Sequence, residues 1–442
     1  MITAGDNPSL QAAFASMTPA AEVDVAVAGG SCTGVFAALA AARKGAKVIV
    51  IEAQNRFGGT ASAGQVCLWH TLMDFYGRKQ IINGLTQELL DRMDRRKLVE
   101  YRRDTHPDWF AKLNTEELCC ELDEMAAEAG IKTLFHTRCA AVLMKDQRNI
   151  AGLIVAGKDG LSLIKAKYFI DATGDADIVR FAGGRTWRNE VLQTTTGCVK
   201  FSRWTPGIIE SSTLGKLIHE AAEKYNMPEG NVWGIKGCDA ESVMLAGTAV
   251  TGIDPSVQAD LSYAEIEARR QMRAIADILA EAGYPRPVME AVSSLIGIRE
   301  SCHIHSLYRI TADELLSGKQ FADAAGKGTY RSDIHTRDPQ GCLFRYLDGR
   351  EEFFSPFEPM RSGFWRDPSL PAPEYYTWPL RSQIPVGFDN LITAGRMIDA
   401  DPGAYGALRV MVNMNQSGEA AGNAVFSALD RNAAIPENIP VR

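Results

Sequence analysis

The strongest constraint on this chain lies between two short apolar runs, Asp24-Val25-Ala26-Val27-Ala28 and Lys47-Val48-Ile49-Val50-Ile51. Joining them are a glycine-rich turn, Gly29-Gly30-Ser31-Cys32-Thr33-Gly34, and an alanine-rich stretch running to Lys44, with Gly45 placed to close a helix. Strand, tight turn, helix and second strand within about thirty residues make a parallel crossover unit. In such a unit the first glycine makes the turn, the second lets the backbone approach a pyrophosphate, and the third lets helix and strand pack closely. Here the pattern is GxSxxG, with Ser31 at the second position. Glu52 ends the second strand, where a carboxylate accepts from ribose hydroxyls, so the unit reads as dinucleotide-binding.

Three later segments extend that reading. After Glu52 come Ala53, Gln54, Asn55, Arg56 and Phe57, then Gly58-Gly59-Thr60-Ala61-Ser62-Ala63-Gly64. The paired glycine lets the chain pass close to a dinucleotide, Arg56 is in reach of a phosphate or the adenine, and the small run suits something flat lying against it. Ala172-Thr173-Gly174-Asp175-Ala176-Asp177 follows another apolar run, and its small residues allow close approach to the first unit. Near the C-terminus, Asn390 to Arg396 and Gly403 to Arg409 precede a small stripe, Gly418, Ala421 and Gly422, which reads as close helix packing. A helix starting near Gly406 turns its positive end toward what lies before it, and Arg396 and Arg409 add fixed charge.

With 442 residues, 46% of them hydrophobic and 23% charged, the chain builds a sizeable core, and disorder is excluded. A net charge of −7 argues against a nucleic-acid binder. Nine cysteines without a CxxC pair argue against a disulfide scaffold or a zinc knuckle, and no metal is expected. The first twenty residues do not read as a secretory signal and no apolar window spans a bilayer, so the expected location is the cytoplasm. Residues 1–22 are expected to form a flexible tail. Helices are expected over 83–99, over 114–129, over 262–283 behind a Ser262/Glu265 capping box, and over roughly 405–430. A β-meander is expected over 132–170, and irregular aromatic loops over 341–380.

Together these motifs resemble the bacterial FAD-dependent oxidoreductase family, within the superfamily that shares the glutathione-reductase-type Rossmann domain. The resemblance rests on GGSCTG (29–34), GGTASAG (58–64), DATGDAD (171–177), GIRES (297–301), DIH (333–335) and NLITAGR…ALRVM…SGEAAG (390–422), and covers most of the chain. It implies an α/β fold: a Rossmann-like FAD-binding domain, with parallel sheet and meander, from 23–64, 118–185 and 385–442. A discontinuous α+β substrate or cap domain would come from 65–117 and 186–384. It implies FAD as cofactor, with pyrophosphate contacts at Gly29, Ser31, Cys32, Thr33, Gly34, Gly59 and Thr60, ribose contact at Glu52, and adenine contact near Cys139. Further FAD contacts fall at Ala172, Gly174, Asp175, Gly395, Arg396 and Leu408. Ala53, Arg56, Gly58 and Ser62 complete the candidate set.

A flavoenzyme of this kind must place a substrate over flavin N5 and handle one proton. Of seven histidines, His106, His136 and His219 read as structural. His70 follows the small loop, and His335 has Asp333 beside it to orient its ring. His303 and His305 sit two apart, but Arg299 and Glu300 make a polar layer the better explanation than a metal. Arg299 and Arg381 are candidates for fixing a carboxylate or a polyhydroxylated substrate, and Tyr405 is a candidate donor or stacking ring. Cys67 and His70 are the candidate covalent tethers. The expected function is hydride transfer from a small polar, for example hydroxylated, substrate to flavin N5, with an electron acceptor of unspecified identity. The alternatives are reduction or desaturation of a C–C bond, with an arginine as proton donor, and a flavin-binding protein without turnover of its own. Assembly with further copies of the chain is left open. A tightly bound NAD(P)H is not expected, because no second turn-plus-acid unit occurs between 186 and 384.

Overall fold

The computed structural model describes residues 7–102, 109–208, 212–228, 232–237, 241–337, 340–355 and 358–438; His106 and Cys238 lie outside them. Its central element is a seven-stranded sheet. Five strands run parallel in the order Lys132–Leu134, Val48–Ile51, Pro19–Ala28, Gly160–Asp171 and Leu391–Thr393. Burial on both faces explains why Val25–Ala28 and Val48–Ile51 read as unbroken apolar runs rather than alternating ones. The first half of Gly160–Asp171 also pairs antiparallel with Ile150–Gly157, which pairs with Arg138–Met144. The meander therefore starts at Arg138, whereas Lys132–Leu134 pairs parallel with Val48–Ile51 at the sheet edge.

The helix of the crossover unit, Cys32–Ala42, starts two residues before Gly34. Ser31 is extended there, and its hydroxyl oxygen accepts from the Gly34 N–H at 3.4 Å, so the serine at the second-glycine position is the helix N-cap. The helix is buried from Cys32 to Ala41 because Met411–Arg431 lies against it. A Cβ on Gly418 would stand 2.0 Å from the Thr33 carbonyl oxygen, and one on Gly422 2.1 Å from that of Ala37. The small stripe thus lets two backbones approach.

Several expectations give way. The single helix over 405–430 is two, Pro402–Leu408 and Met411–Arg431, because Val410 is extended between them. From Asn7 onward the expected tail is structured. Asn7 caps a helix, Pro8–Ala15; Gln11 bonds the Val142 carbonyl and the Met144 N–H; and the first strand begins at Pro19. The helix expected from Ser262 begins at Gln258 instead. The Ser262 hydroxyl donates back to the Gln258 carbonyl, and Glu265 accepts from the Ile296 N–H, so there is no capping box.

Outside the main sheet, Leu68–His70, Phe110–Leu113 and Val99–Arg102 make a small antiparallel sheet. The region expected as loops over 341–380 contains most of a four-stranded antiparallel sheet. Its strands are Ser332–Arg337, Gln340–Arg345, Arg350–Phe354 and Arg361–Phe364. Among the described residues no helix is long and apolar enough to cross a membrane.

Candidate functional site

The ends of the parallel strands open into a cleft of about 940 Å³. This is where a ligand sits in an open parallel α/β sheet. At its floor Gly29 has φ +100°, and a Cβ there would lie 2.3 Å from the Ala172 carbonyl oxygen. Of the turn, Gly29, Ser31, Cys32 and Thr33 line the cleft. Gly34 acts behind it, where a Cβ would stand 1.9 Å from the Gly29 carbonyl oxygen. Glu52 lines the cleft too; its two oxygens accept from the Gly30 N–H at 2.5 Å and the Gln54 N–H at 2.6 Å. Burial raises its pKa against the pull of these donors and of Arg138.

The second segment contributes Ala53, Gly58, Gly59 and Thr60 to the lining, and Cys139 faces the cleft from the meander. Two candidates of this group are elsewhere. Arg56 pairs with Glu116 at 2.6 Å, and Ser62 is buried with its hydroxyl donated to the Phe57 carbonyl, holding the glycine turn from behind. The third segment lines the cleft with Ala172, Gly174 and Asp175. Asp171 beneath it is fully buried and accepts from the N–H groups of Thr173, Ile178 and Val179, which fixes the bend. Gly174 has φ +84° and packs against the Arg396 guanidinium, which pairs with Asp175 at 2.6 Å. Gly395 and Arg396 also line the cleft, but Leu408 is fully buried and its neighbours Arg409, Val410 and Met411 take that place.

The far end of the cleft is cationic. His70, Arg299 and His335 all line it, as do Arg331, Asp333 and Cys342. Arg299 donates to the Thr194 carbonyl at 2.7 Å and the Thr196 hydroxyl at 2.5 Å, both neutral. Desolvation, then the charge of Arg409, lowers its pKa to about 10. Burial alone would raise the Asp333 carboxyl, but Arg409 at 3.2 Å, then His335, Arg331 and Arg299, bring it down to about 2. His335 is lowered to about 3, by burial first and then by Arg299, so its ring is neutral near pH 7.

Asp333, His335 and Cys342 hold potential metal-ligand atoms within 4.8 Å of one another. Three guanidiniums act on Asp333, and that field opposes a divalent cation. His303 instead bonds Glu300 and the Ile398 carbonyl.

Two catalytic candidates are not brought to the cleft. Arg381 pairs with the buried Asp323 at 2.9 Å. Tyr405 is fully buried; its hydroxyl donates to the Arg299 carbonyl at 2.6 Å, and its ring meets His303 edge-on. Tyr405 therefore supports the segment carrying Arg299 without facing a ligand. Cys67, a candidate tether, is buried beside Cys198 and Met244, and burial holds its thiol up at about 11.

Among the lining residues that the sequence did not single out are Arg331, Cys342 and Asn415. Asn415 is 1% exposed, and neither its amide oxygen nor its amide nitrogen has a hydrogen-bond partner. A buried amide with donor and acceptor both unspent is costly without a ligand, and the pyrimidine edge of a flavin offers donors and acceptors side by side. Its place on an otherwise ordinary helix left no sequence signal. This amide, the bare glycine floor and the cleft volume fit FAD.

The depressed Asp333 carboxyl carries a stability prediction. Its folded pKa lies below the ordinary value, so its contribution is present above about pH 4 and is lost as pH falls through about 2. Asp333→Asn is expected to lower unfolding free energy at pH 7 by about 2–3 kcal/mol. In urea titrations the gap from wild type should narrow by roughly half at pH 3; a gap independent of pH would contradict this account.

A family model described as FAD dependent oxidoreductase matches residues 24–442. Thiamine thiazole synthase from Methanococcus vannielii is 30% identical over 168 residues, which are 36% of this chain and 59% of that protein. The same enzyme from Pyrococcus abyssi is 26% identical over 169 residues, 36% of this chain and 61% of its own. The chain thus spans about three fifths of the length of these curated relatives. A geranylgeranyl bacteriochlorophyll reductase-like protein from Thermoplasma acidophilum superposes with a TM-score of 0.46 at 12% identity, covering 93% of this chain and 80% of its own. The p-nitrophenol 4-monooxygenase from Pseudomonas putida gives 0.44 at 11%, covering 94% and 82%. With a glycine-floored dinucleotide turn and a match over nearly its whole length, the chain belongs to the FAD dependent oxidoreductase family, and FAD is its cofactor.

Proposed function

We propose that this oxidoreductase acts on a small polar substrate carrying a carboxylate, and removes a hydride from its CH–OH carbon. The observation that carries this reading is Arg299, a guanidinium in the cleft wall whose hydrogen bonds go to neutral oxygens. A cation so placed favours an anionic guest, and its planar fork matches a carboxylate. FAD, when bound, supplies the hydride acceptor. The chain's own residues orient the substrate and move one proton. Arg299 holds the carboxylate end. His70, on the strand Leu68–His70 with its ring packed against Phe110 and Tyr330, is the group assigned to receive the hydroxyl proton.

Anaerobic mixing of the holoprotein with small hydroxy acids, polyols and amines tests the reading. Bleaching near 450 nm is expected with hydroxy acids, and bleaching by neutral polyols alone would overturn the carboxylate assignment. The depressed pKa of Arg299 favours a second reading, in which this arginine donates a proton during reduction of a C–C double bond. Reoxidation of chemically reduced holoprotein by α,β-unsaturated carboxylates, with no bleaching by hydroxy acids, would select it.

A further inference from the structure

His335 lines the cleft, yet neither face of its acid–base chemistry is turned to a substrate. Its Nδ1 lies 3.4 Å from the Cys342 Sγ and its Nε2 lies 3.5 Å from an Asp333 carboxylate oxygen. The register of the strand pair builds this row. Asp333 and His335 alternate onto one face of Ser332–Arg337, and Cys342 stands directly opposite His335 on Gln340–Arg345. Asp333 is held in turn by Arg409 at 3.2 Å and by the Tyr330 hydroxyl at 3.4 Å. The Asp333 oxygen facing Nε2 makes no hydrogen bond, but its negative charge at 3.5 Å favours a proton on that nitrogen and leaves the Nδ1 lone pair for the thiol. The result is a thiol, an imidazole and a carboxylate in sequence, the arrangement that activates a nucleophile.

We propose that Cys342 is a nucleophile, with His335 as its proton partner and Asp333 as its orienting acid, that adds reversibly to the carbonyl carbon of a small aldehyde or α-keto acid in the cleft. As the C–S bond forms and the C=O π bond breaks, the thiol proton passes to His335 Nδ1 and then to the carbonyl oxygen, which becomes the hydroxyl of a thiohemiacetal. No electrons are gained or lost. Arg299, close enough to Cys342 for their charges to interact, supplies positive field for the negative charge developing on sulfur or oxygen. His335 is neutral near pH 7, and the burial and Arg299 charge that hold its pKa down at about 3 disfavour an imidazolium, so the proton passes through the ring in concert with C–S bond formation rather than resting on it. The same arginines make a bound dication the poorer use of these three side chains. The choice of an α-keto acid rests on the carboxylate reading of Arg299; the reactivity of the thiol does not.

Cys198 supplies the internal control, because it is equally buried and lines the same cleft. Holoprotein is treated with iodoacetamide at pH 7.5, and peptides containing Cys342 and Cys198 are followed by mass spectrometry. Cys342 is expected to react at least ten times faster than Cys198, and His335→Asn to remove that advantage while FAD content stays at the wild-type level. Equal rates, or a Cys342 rate unchanged in His335→Asn, would overturn the proposal. If His335→Asn fails to fold, His335→Gln and Asp333→Asn serve, with the same loss expected in the first and a smaller one in the second. Glyoxylate is expected to protect Cys342, and acetate, which has neither a carbonyl carbon open to addition nor a hydroxyl to oxidise, is not. Fast alkylation without protection would overturn the carbonyl adduct, whatever the outcome of the bleaching experiment. A stoichiometric transition metal in the purified protein that is lost in Cys342→Ser would replace the nucleophile by a metal site.

Discussion

Gly34→Ala is expected to leave a protein that emerges from gel filtration without FAD. The added Cβ would stand 1.9 Å from the Gly29 carbonyl oxygen and 3.2 Å from the Ala172 side chain. The nearer atom is backbone, on the floor of the cofactor turn, so no flexible side chain can swing aside. Restoring an ordinary contact requires the helix Cys32–Ala42 to move by more than about 1 Å, and the long helix Met411–Arg431 opposes that movement from behind. Overpacking of this kind costs about 1–3 kcal/mol in stability. The loss of cofactor is expected to be the larger effect, because the moved atoms form the glycine floor of the cleft. Gly45→Ala provides the control. Its φ of +107° strains an alanine, but nothing lies within 4 Å of the added methyl. That variant should melt lower and keep its FAD. Stoichiometric FAD in Gly34→Ala, measured by absorbance at 450 nm, would remove the close-packing account of the turn.

The second large effect belongs to Arg299. Arg299→Met keeps the length of the side chain and removes the charge. Losing a desolvated charge partner costs about 2–5 kcal/mol, so kcat/KM for the proposed carboxylate substrate is expected to fall by about 30-fold to several thousand-fold. FAD content should not change. Arg381→Met is expected to lower stability, since it strands the buried Asp323, and to leave kcat/KM nearly as it was. Equal losses of kcat/KM in the two variants would show that the effect of Arg299 is not local to the cleft.

The cofactor half of the molecule was legible because its chemistry is carried by backbone. A turn that must approach a pyrophosphate needs glycine at particular offsets, and such offsets survive in a one-dimensional string. Gly29, Glu52 and Gly59, singled out by motif spacing, line the cleft, and so do Gly174 and Arg396, which the family resemblance implied. Where a side chain does the work, neighbours in space decide, and the string does not record them. Arg381 and Tyr405 had the right chemical types, but Asp323 and the Arg299 carbonyl claim them. Leu408 lost its place to the residues after it because the chain breaks its helix at Val410. The strands after Ser332 were hidden for another reason. Each has only four to six residues, and their aromatic and charged side chains mask the alternation that marks a half-buried strand.

The wall of the cleft joins residues near both ends of the described chain: Gly29 to Thr33 on one side, Arg409 to Asn415 on the other. The strand Leu391–Thr393 and the helix Met411–Arg431 are the last large pieces of this framework to be synthesised. At about 5–20 residues per second, tens of seconds separate the translation of the glycine turn from that of the helix that braces it. Until then the face of the helix Cys32–Ala42 that packs on Met411–Arg431 has no cover, and Asn415 is not yet part of the cleft wall. FAD capture therefore waits until the helix Met411–Arg431 has been made. A nascent chain stalled before Met411 should acquire no cofactor, even though every residue of its dinucleotide signature has already left the ribosome.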